Sequence, residues 1–262
     1  MVVSKIPRVQ GLQKKSLGQN FLNNPDVVAD ILLAAKIKPK ETVLEVGPGD
    51  GVLTHALIDA GANVIAIEKD SRLIPILKQK FPATQVVEGD ILKIEIWKLI
   101  ENCKLKIVNC KIVANIPYYI TGQFLRKVFE SSHLPSRVVL MLQKEVAERI
   151  VSSTSLTTGA KTKESLLSIS VKAYGTPSIV RYVGRENFEP APDVDSAVLL
   201  IENISRDFFT EIDEQKFFAL IHKGFEGKRK QIGKKFGLSG DTRRAEELSL
   251  ADWRKLYLGV KG

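Results

Sequence analysis

As far as Ile201 the chain is paced by short runs rich in β-branched residues: Thr42–Val46, Asn63–Ile67, Thr84–Asp90 with its closing acid, Lys111–Ala114, Arg137–Leu142, Ile179–Val183 and Ser196–Ile201. Runs of this length, closed by turn residues, predict strands buried on both faces of a sheet. Between them apolar positions fall at helical spacing: Val27, Val28, Ile31 and Leu32; Val52 to Ile58; Phe124, Leu125, Val128 and Phe129. Asn24 as N-cap and Pro25 at the first helical position predict where the first of these helices begins. A helix from Ser71 to Lys80, opened by Asp70, should be distorted by Pro75, and Gln143–Val151 reads as a mixed-charge helix whose Glu145 and Arg149 make a solvent-facing pair. From Ser205 the pattern is helical only, with Phe217, Phe218, Leu220 and Ile221, then Leu248, Leu250, Trp253, Leu256 and Tyr257. The predicted organisation is a basic arm over 1–15, an α/β domain over 16–204 and a small helical domain over 205–262.

Where the first run ends, Glu45-Val46-Gly47-Pro48-Gly49-Asp50-Gly51 leads into a helix. Strand, glycine turn and helix in that order let a ligand lie against the backbone at the carboxyl end of a parallel strand. The spacing is G-x-G-x-G rather than the dinucleotide pattern G-x-G-x-x-G. An acid, Glu45, also precedes it, which suits a cationic ligand such as S-adenosylmethionine better than a pyrophosphate. Glu68 closes the next run, where a carboxylate can accept both hydroxyls of a ribose in either kind of cofactor. Asp90 closes the third, and a carboxylate there suits the exocyclic amine of an adenine. Three consecutive parallel strands thus bring acids to one edge of the sheet.

The fourth run ends in Asn115-Ile116-Pro117-Tyr118-Tyr119. Adenine N6 is a poor nucleophile because its lone pair is delocalised into the ring. An Asn oxygen and a neighbouring carbonyl can accept its hydrogens and localise that pair, while proline stiffens the turn and an aromatic ring stacks on the base. Such chemistry needs no charged general base.

Charge narrows the partner. Lys and Arg number 39 against 30 Asp and Glu in 262 residues, a net +9, which points to a polyanion without choosing among RNA, DNA and anionic lipid. The basic stretch Lys223–Phe236 holds Lys223, Lys228, Arg229, Lys230, Lys234 and Lys235, with Phe225 and Phe236 among them. Two cysteines, Cys103 and Cys110, and the scattered His55, His133 and His222 match no metal-ligand spacing. Free thiols, the lack of an apolar run of about 18 residues and a start without a signal-peptide pattern give a cytoplasmic expectation, with no membrane and no metal.

The order and spacing of Gln19-Asn20-Phe21-Leu22, Glu45-Val46-Gly47-Pro48-Gly49, Glu68, Asp90 and Asn115-Ile116-Pro117-Tyr118 resemble the small-subunit rRNA adenine dimethyltransferase family of the KsgA type. Gln143–Arg149 and Phe188–Val198 extend the likeness from about Lys14 to the C-terminus. The resemblance implies a seven-stranded Rossmann-like S-adenosylmethionine-dependent methyltransferase sheet with a small C-terminal helical domain. It would place Asn20 and Leu22 beside the methionine part of the cofactor, Gly47 and Gly49 under it, Glu68 on its ribose and Asp90 on its adenine. Asn115 would stand at the methyl-transfer point, with Tyr118 stacked on the target base and Phe188 on the opposite face. The implied reaction is N6,N6-dimethylation of two adjacent adenosines in the 3′-terminal hairpin of small-subunit rRNA. The substrate would be a pre-30S-like small subunit, met by a monomeric enzyme that also serves subunit biogenesis and sets a basic helix, over 223–236, against the rRNA.

Two segments depart from the family: a longer polar stretch over Ser152–Lys163 and a shorter connection over Gly237–Asp241. The alternatives are an adenine methyltransferase of large-subunit rRNA or DNA, and a ribosome-assembly factor without catalysis. The intact Glu45, Glu68, Asp90, Asn115 and Tyr118 argue against the last.

Overall fold

The computed structural model describes residues 19–151, 163–227, 230–238 and 240–260. The basic arm, most of the polar stretch after Val151, and Lys228 and Arg229 lie outside them. In chain order the elements are β1 Phe21–Leu22, α1 Pro25–Ala35, β2 Thr42–Val46, α2 Val52–Asp59, β3 Asn63–Glu68, α3 Ile74–Lys80, β4 Gln85–Glu88, α4 Ile96–Asn102, β5 Lys111–Asn115, α5 Thr121–Phe129, β6 Arg137–Gln143 and α6 Lys144–Val151. There follow α7 Leu166–Tyr174, β7 Thr176–Val183, β8 Phe188–Glu189, β9 Ser196–Glu202, α8 Glu214–Phe225, α9 Ile232–Phe236 and α10 Leu250–Val260.

All seven predicted strands join one sheet in the order β4-β3-β2-β5-β6-β9-β7. Neighbours from β4 to β6 are parallel, and β9 runs antiparallel to β6. Every residue of β2 is buried, as a central strand with helices on both faces requires. Helix α1 starts as its sequence predicts, since the Asn24 side chain accepts from the Asp26 amide at 2.8 Å and Pro25 takes the first turn. Pro75 causes no distortion. The helix begins at Ile74 instead of Ser71, so the proline sits in a first turn whose amide needs no partner.

A second, two-stranded sheet escapes sequence reading. The segment before Asn23, expected to be a loop, pairs with the Pro-rich loop: Phe21 with Glu189 and Leu22 with Phe188. The Asn23 amide donates to the Asn187 carbonyl at 2.8 Å and continues the connection. Two residues carry no periodicity, and their partner is most of the sheet away in sequence.

Contact density divides the chain into one unit over 1–147 and 178–202 and another over 148–177 and 203–262. The grouping of 148–177 with the residues after 202 follows from the packing of α7 with α8 and α10. In the second unit the buried Trp253, Phe217, Ile221, Ile232 and Leu248 form the core. Helix α7 is opened by a capping box between Ser165 and Ser168, and the buried Glu164 accepts from Ser168 Oγ at 2.5 Å and from Lys172 Nζ at 2.9 Å. At Gly224 the chain comes so close to the indole that an added Cβ would lie 2.1 Å from the Trp253 ring.

Two glycines give opposite expectations. Gly224→Ala should overpack the second core and cost about 1–3 kcal/mol. Gly122→Ala, with nothing within 4 Å of its added Cβ on α5, should stabilise by up to about 1 kcal/mol. Thermal unfolding of both variants reads the difference.

Candidate active site

The parallel register decides what meets at the carboxyl edge. Val46 lies level with Ile67 on one side and Ala114 on the other, so the turn after β2, Glu68 and Asn115 leave the sheet side by side. Gly47, Gly49 and Gly51 all have left-handed backbones, with φ of 69°, 59° and 87°, a region costly for residues with a Cβ. At Gly49 space matters too. An added Cβ would lie 2.8 Å from the Phe21 ring, which covers the turn from β1. At Gly47 it would come 3.3 Å from the Asn115 carbonyl oxygen.

Glu45 is 1% exposed, and neither of its oxygens has a hydrogen-bond partner among the described residues. Burial, with the charges of Glu68 and Asp50 behind it, pushes the Glu45 carboxyl up to about 8. Glu68 is buried as well, and that burial raises its carboxyl above the usual range although the anion is partly satisfied. It accepts from the Gly49 amide at 3.2 Å and from the Asp70 amide at 2.8 Å.

The neighbouring acids are tuned the other way. Asp70 binds the Arg72 guanidinium and accepts from Gln19 Nε2 at 3.0 Å, which brings it down to about 2. Asp90 is lowered by the Lys69 ammonium 3.0 Å away and also accepts from the Leu92 amide. Two of the four carboxyl groups are therefore raised and two lowered.

Asn115 donates through Nδ2 to the Asn20 carbonyl at 3.0 Å. That bond turns its Oδ1 into the remaining, accepting end. Tyr118 lies beyond Pro117, half-buried, with its hydroxyl 2.7 Å from Ser196 Oγ; burial raises its phenol.

One cleft collects these groups. Asn20, Leu22, Glu45, Gly47, Gly49, Glu68, Asp90, Asn115 and Tyr118 all line it. Phe188 does not. Paired to Leu22 through β8, it is 4% exposed and packs with the sheet core. Gln19, Phe21, Lys69 and Tyr119 also line the cleft without having been singled out. Phe21 and Gln19 sit inside a motif that was read; for Lys69 only its place after a strand-end acid gave a signal.

In the second unit the basic stretch is not one helix. α8 stops at Phe225, Gly227 turns with φ 69°, and α9 has five residues. Lys223, Lys230 and Lys234 are exposed. Lys223 lies 5.6 Å from the centroid of the Phe236 ring. Lys235 is committed to structure, donating to the Gly224 and Glu226 carbonyls at the end of α8.

The model of the family described as ribosomal RNA adenine dimethylase matches residues 11–252. The ribosomal RNA small subunit methyltransferase A of Dehalococcoides mccartyi is 38% identical over 269 residues, covering 95% of this chain and 89% of that protein. That of Streptococcus pneumoniae is 38% identical over 273 residues, covering 95% and 92%. A dimethyladenosine transferase structure from Plasmodium falciparum superposes with a TM-score of 0.76 at 27% identity, over 92% of this chain and 97% of its own. The 23S rRNA methyltransferase ErmE shares the fold, with a TM-score of 0.74 at 23% identity over 93% and 100%.

The chain belongs to the ribosomal RNA adenine dimethylase family. It is an S-adenosylmethionine-dependent methyltransferase acting on rRNA adenine. Its cleft fits that cofactor on two observations: a buried carboxyl with no hydrogen-bond partner among the described residues, which a cation would ionise, and a glycine turn that lines the cleft.

Glu45 makes stability depend on pH. Folded, it holds its proton to about pH 8; unfolded, it releases it near 4.5. The folded state thus binds the extra proton between those values, and stability falls as pH rises through them. Glu45→Gln should remove this fall, so urea midpoints at pH 5 and pH 8 should lie closer together than in the unaltered protein. An equal decline in both proteins would assign the effect elsewhere.

Proposed function

We propose that the protein dimethylates N6 of two adjacent adenosines in the 3′-terminal hairpin of small-subunit rRNA, acting in the cytoplasm as a monomer on an assembling small subunit. The observation that carries this reading is the orientation of Asn115. With Nδ2 engaged by the Asn20 carbonyl, Oδ1 is left to accept from an amine, and an adenine N6 whose hydrogens are so held presents a localised lone pair. Its target specificity rests on the relatives named small subunit methyltransferase A, which match nearly the whole chain.

S-adenosylmethionine, when bound, supplies an electrophilic methyl group. Glu45, giving up its proton opposite the cation, would balance its positive charge, Gly47 and Gly49 would lie against it with Asn20 and Leu22, Glu68 would take the ribose hydroxyls and Asp90 the adenine amine. Tyr118 would stack on the target base. That base must leave its own stack, at a cost of a few kcal/mol that is least in a loop. The N6 proton released at each transfer would pass to water. The cations of 223–236 would hold the rRNA through its phosphates.

Mass spectrometry of nucleosides tests the assignment. Undermethylated small subunits incubated with protein and labelled cofactor should gain N6,N6-dimethyladenosine, while large subunits and DNA should not; label on either of these would move the target. Asn115→Ala should lower the rate at least about 100-fold with cofactor affinity nearly kept, a loss in the range of one electrostatic contact to the reacting group. Full activity in that variant would remove the amine contact.

Changing Lys223, Lys230 and Lys234 together to Gln should weaken rRNA binding. The slope of log affinity against log salt should flatten by about 2 if each cation meets a phosphate. An unchanged slope would place the RNA path elsewhere.

A further inference from the structure

At one side of the sheet, β7 presents two neighbours on the same face, Val180 and Tyr182, which are 39% and 53% exposed. Val194, before β9, is 45% exposed. Lys144 Nζ lies 5.2 Å from the centroid of the Tyr182 ring, within the reach of a cation–π contact.

The position of Lys144 is fixed by the sheet. Its amide donates to the Asp195 carbonyl at 3.0 Å, and the preceding Gln143 pairs with Ser196. Ser196 Oγ is the group that holds the Tyr118 hydroxyl. Tyr182 therefore stands on the strand beside β9, at the end from which Tyr118 is held.

The chemistry there favours a base over a phosphate. Asp193 and Asp195 are exposed beside Lys144 and disfavour an anion, whereas an exposed ring steadied by a cation and flanked by valines offers an apolar face. Unpaired RNA bases that have lost their neighbours stack on such rings. A hairpin loop that gives up one of two adjacent adenosines to the cleft leaves a neighbour in this condition.

We infer that Tyr182, steadied by Lys144, stacks on an unpaired rRNA base next to the adenosine in the cleft, and so is a substrate-positioning residue. The inference rests on the rRNA-methylating reading given above. It concerns a surface outside the cofactor cleft and outside the basic stretch.

Kinetics on undermethylated small subunits test it. Tyr182→Ala should raise KM roughly 10-fold, as the loss of one base–aromatic stack does, with kcat and cofactor affinity within about two-fold. Tyr182→Phe, which keeps the ring, should restore KM. Unchanged KM in the alanine variant, or an equal loss in the phenylalanine variant, would overturn the inference. Thermal unfolding checks that each variant is folded. Should Tyr182→Ala not fold, Lys144→Gln is expected to raise KM about two- to five-fold, and no change would count against the platform. Replacing Tyr182 by the photoreactive p-benzoylphenylalanine should give crosslinks to rRNA near the methylated pair, whereas crosslinks to a ribosomal protein would overturn the assignment to a base. If the unaltered protein left the subunits unmethylated while the photoreactive one still crosslinked to rRNA, the activity reading would fail and this contact would stand.

Discussion

The site depends on the level pairing of β3, β2 and β5. Because Val46 faces Ile67 and Ala114 across the two ladders, the glycine turn, Glu68 and Asn115 emerge together, and the Gly47 amide can close on the Ile67 carbonyl at 2.9 Å. A slip of one residue in either ladder would send alternate side chains to the other face and scatter these groups. Burial of β2 on both sides fixes the register. The chemistry is thus held by hydrophobic packing several residues away from it.

Within that frame each acid acquires its character from its surroundings. Glu45 is deep and unpartnered, Glu68 deep but met by two amides, Asp70 held by a guanidinium, and Asp90 by an ammonium on the cleft rim. The same functional group thus appears as a reluctant anion at the sheet centre and a committed one at its edge. A ligand with positive charge at one end and hydroxyl and amine donors along its length meets each in turn. Lys69 enters this scheme as the ion that already occupies Asp90, so an adenine amine would share that carboxylate.

Much of this was legible in the chain. Seven apolar runs became seven strands, and the acids at their ends reached one cleft, because a parallel sheet converts strand order directly into position. Asn24 and Pro25 marked a helix start for the local reasons that caps always do. What could not be read was set by distant partners. Phe188 lies in a Pro-rich stretch with no periodicity of its own, and its pairing with Leu22, which buries it, comes from far away in sequence. Pro75 seemed to interrupt a helix whose true start lies at Ile74. The helix α7 sits between strands in sequence and yet belongs to the second core, since its apolar face matches α8 and α10. The basic stretch read as continuous although Gly227 turns it.

The pairing of β1 with β8 has a consequence for the order in which the protein is made. The ring of Phe21 covers the Gly49 turn only while residues 188 and 189 hold its strand in place. On a translating ribosome, which adds about 5–20 residues each second, β1 emerges on the order of 10 s before its partner. Through that interval the glycine turn lacks its cover, and the nascent chain has the wall of the cleft without its lid strand. The cover over the turn is therefore completed late, when the far end of the sheet domain reaches back to its beginning.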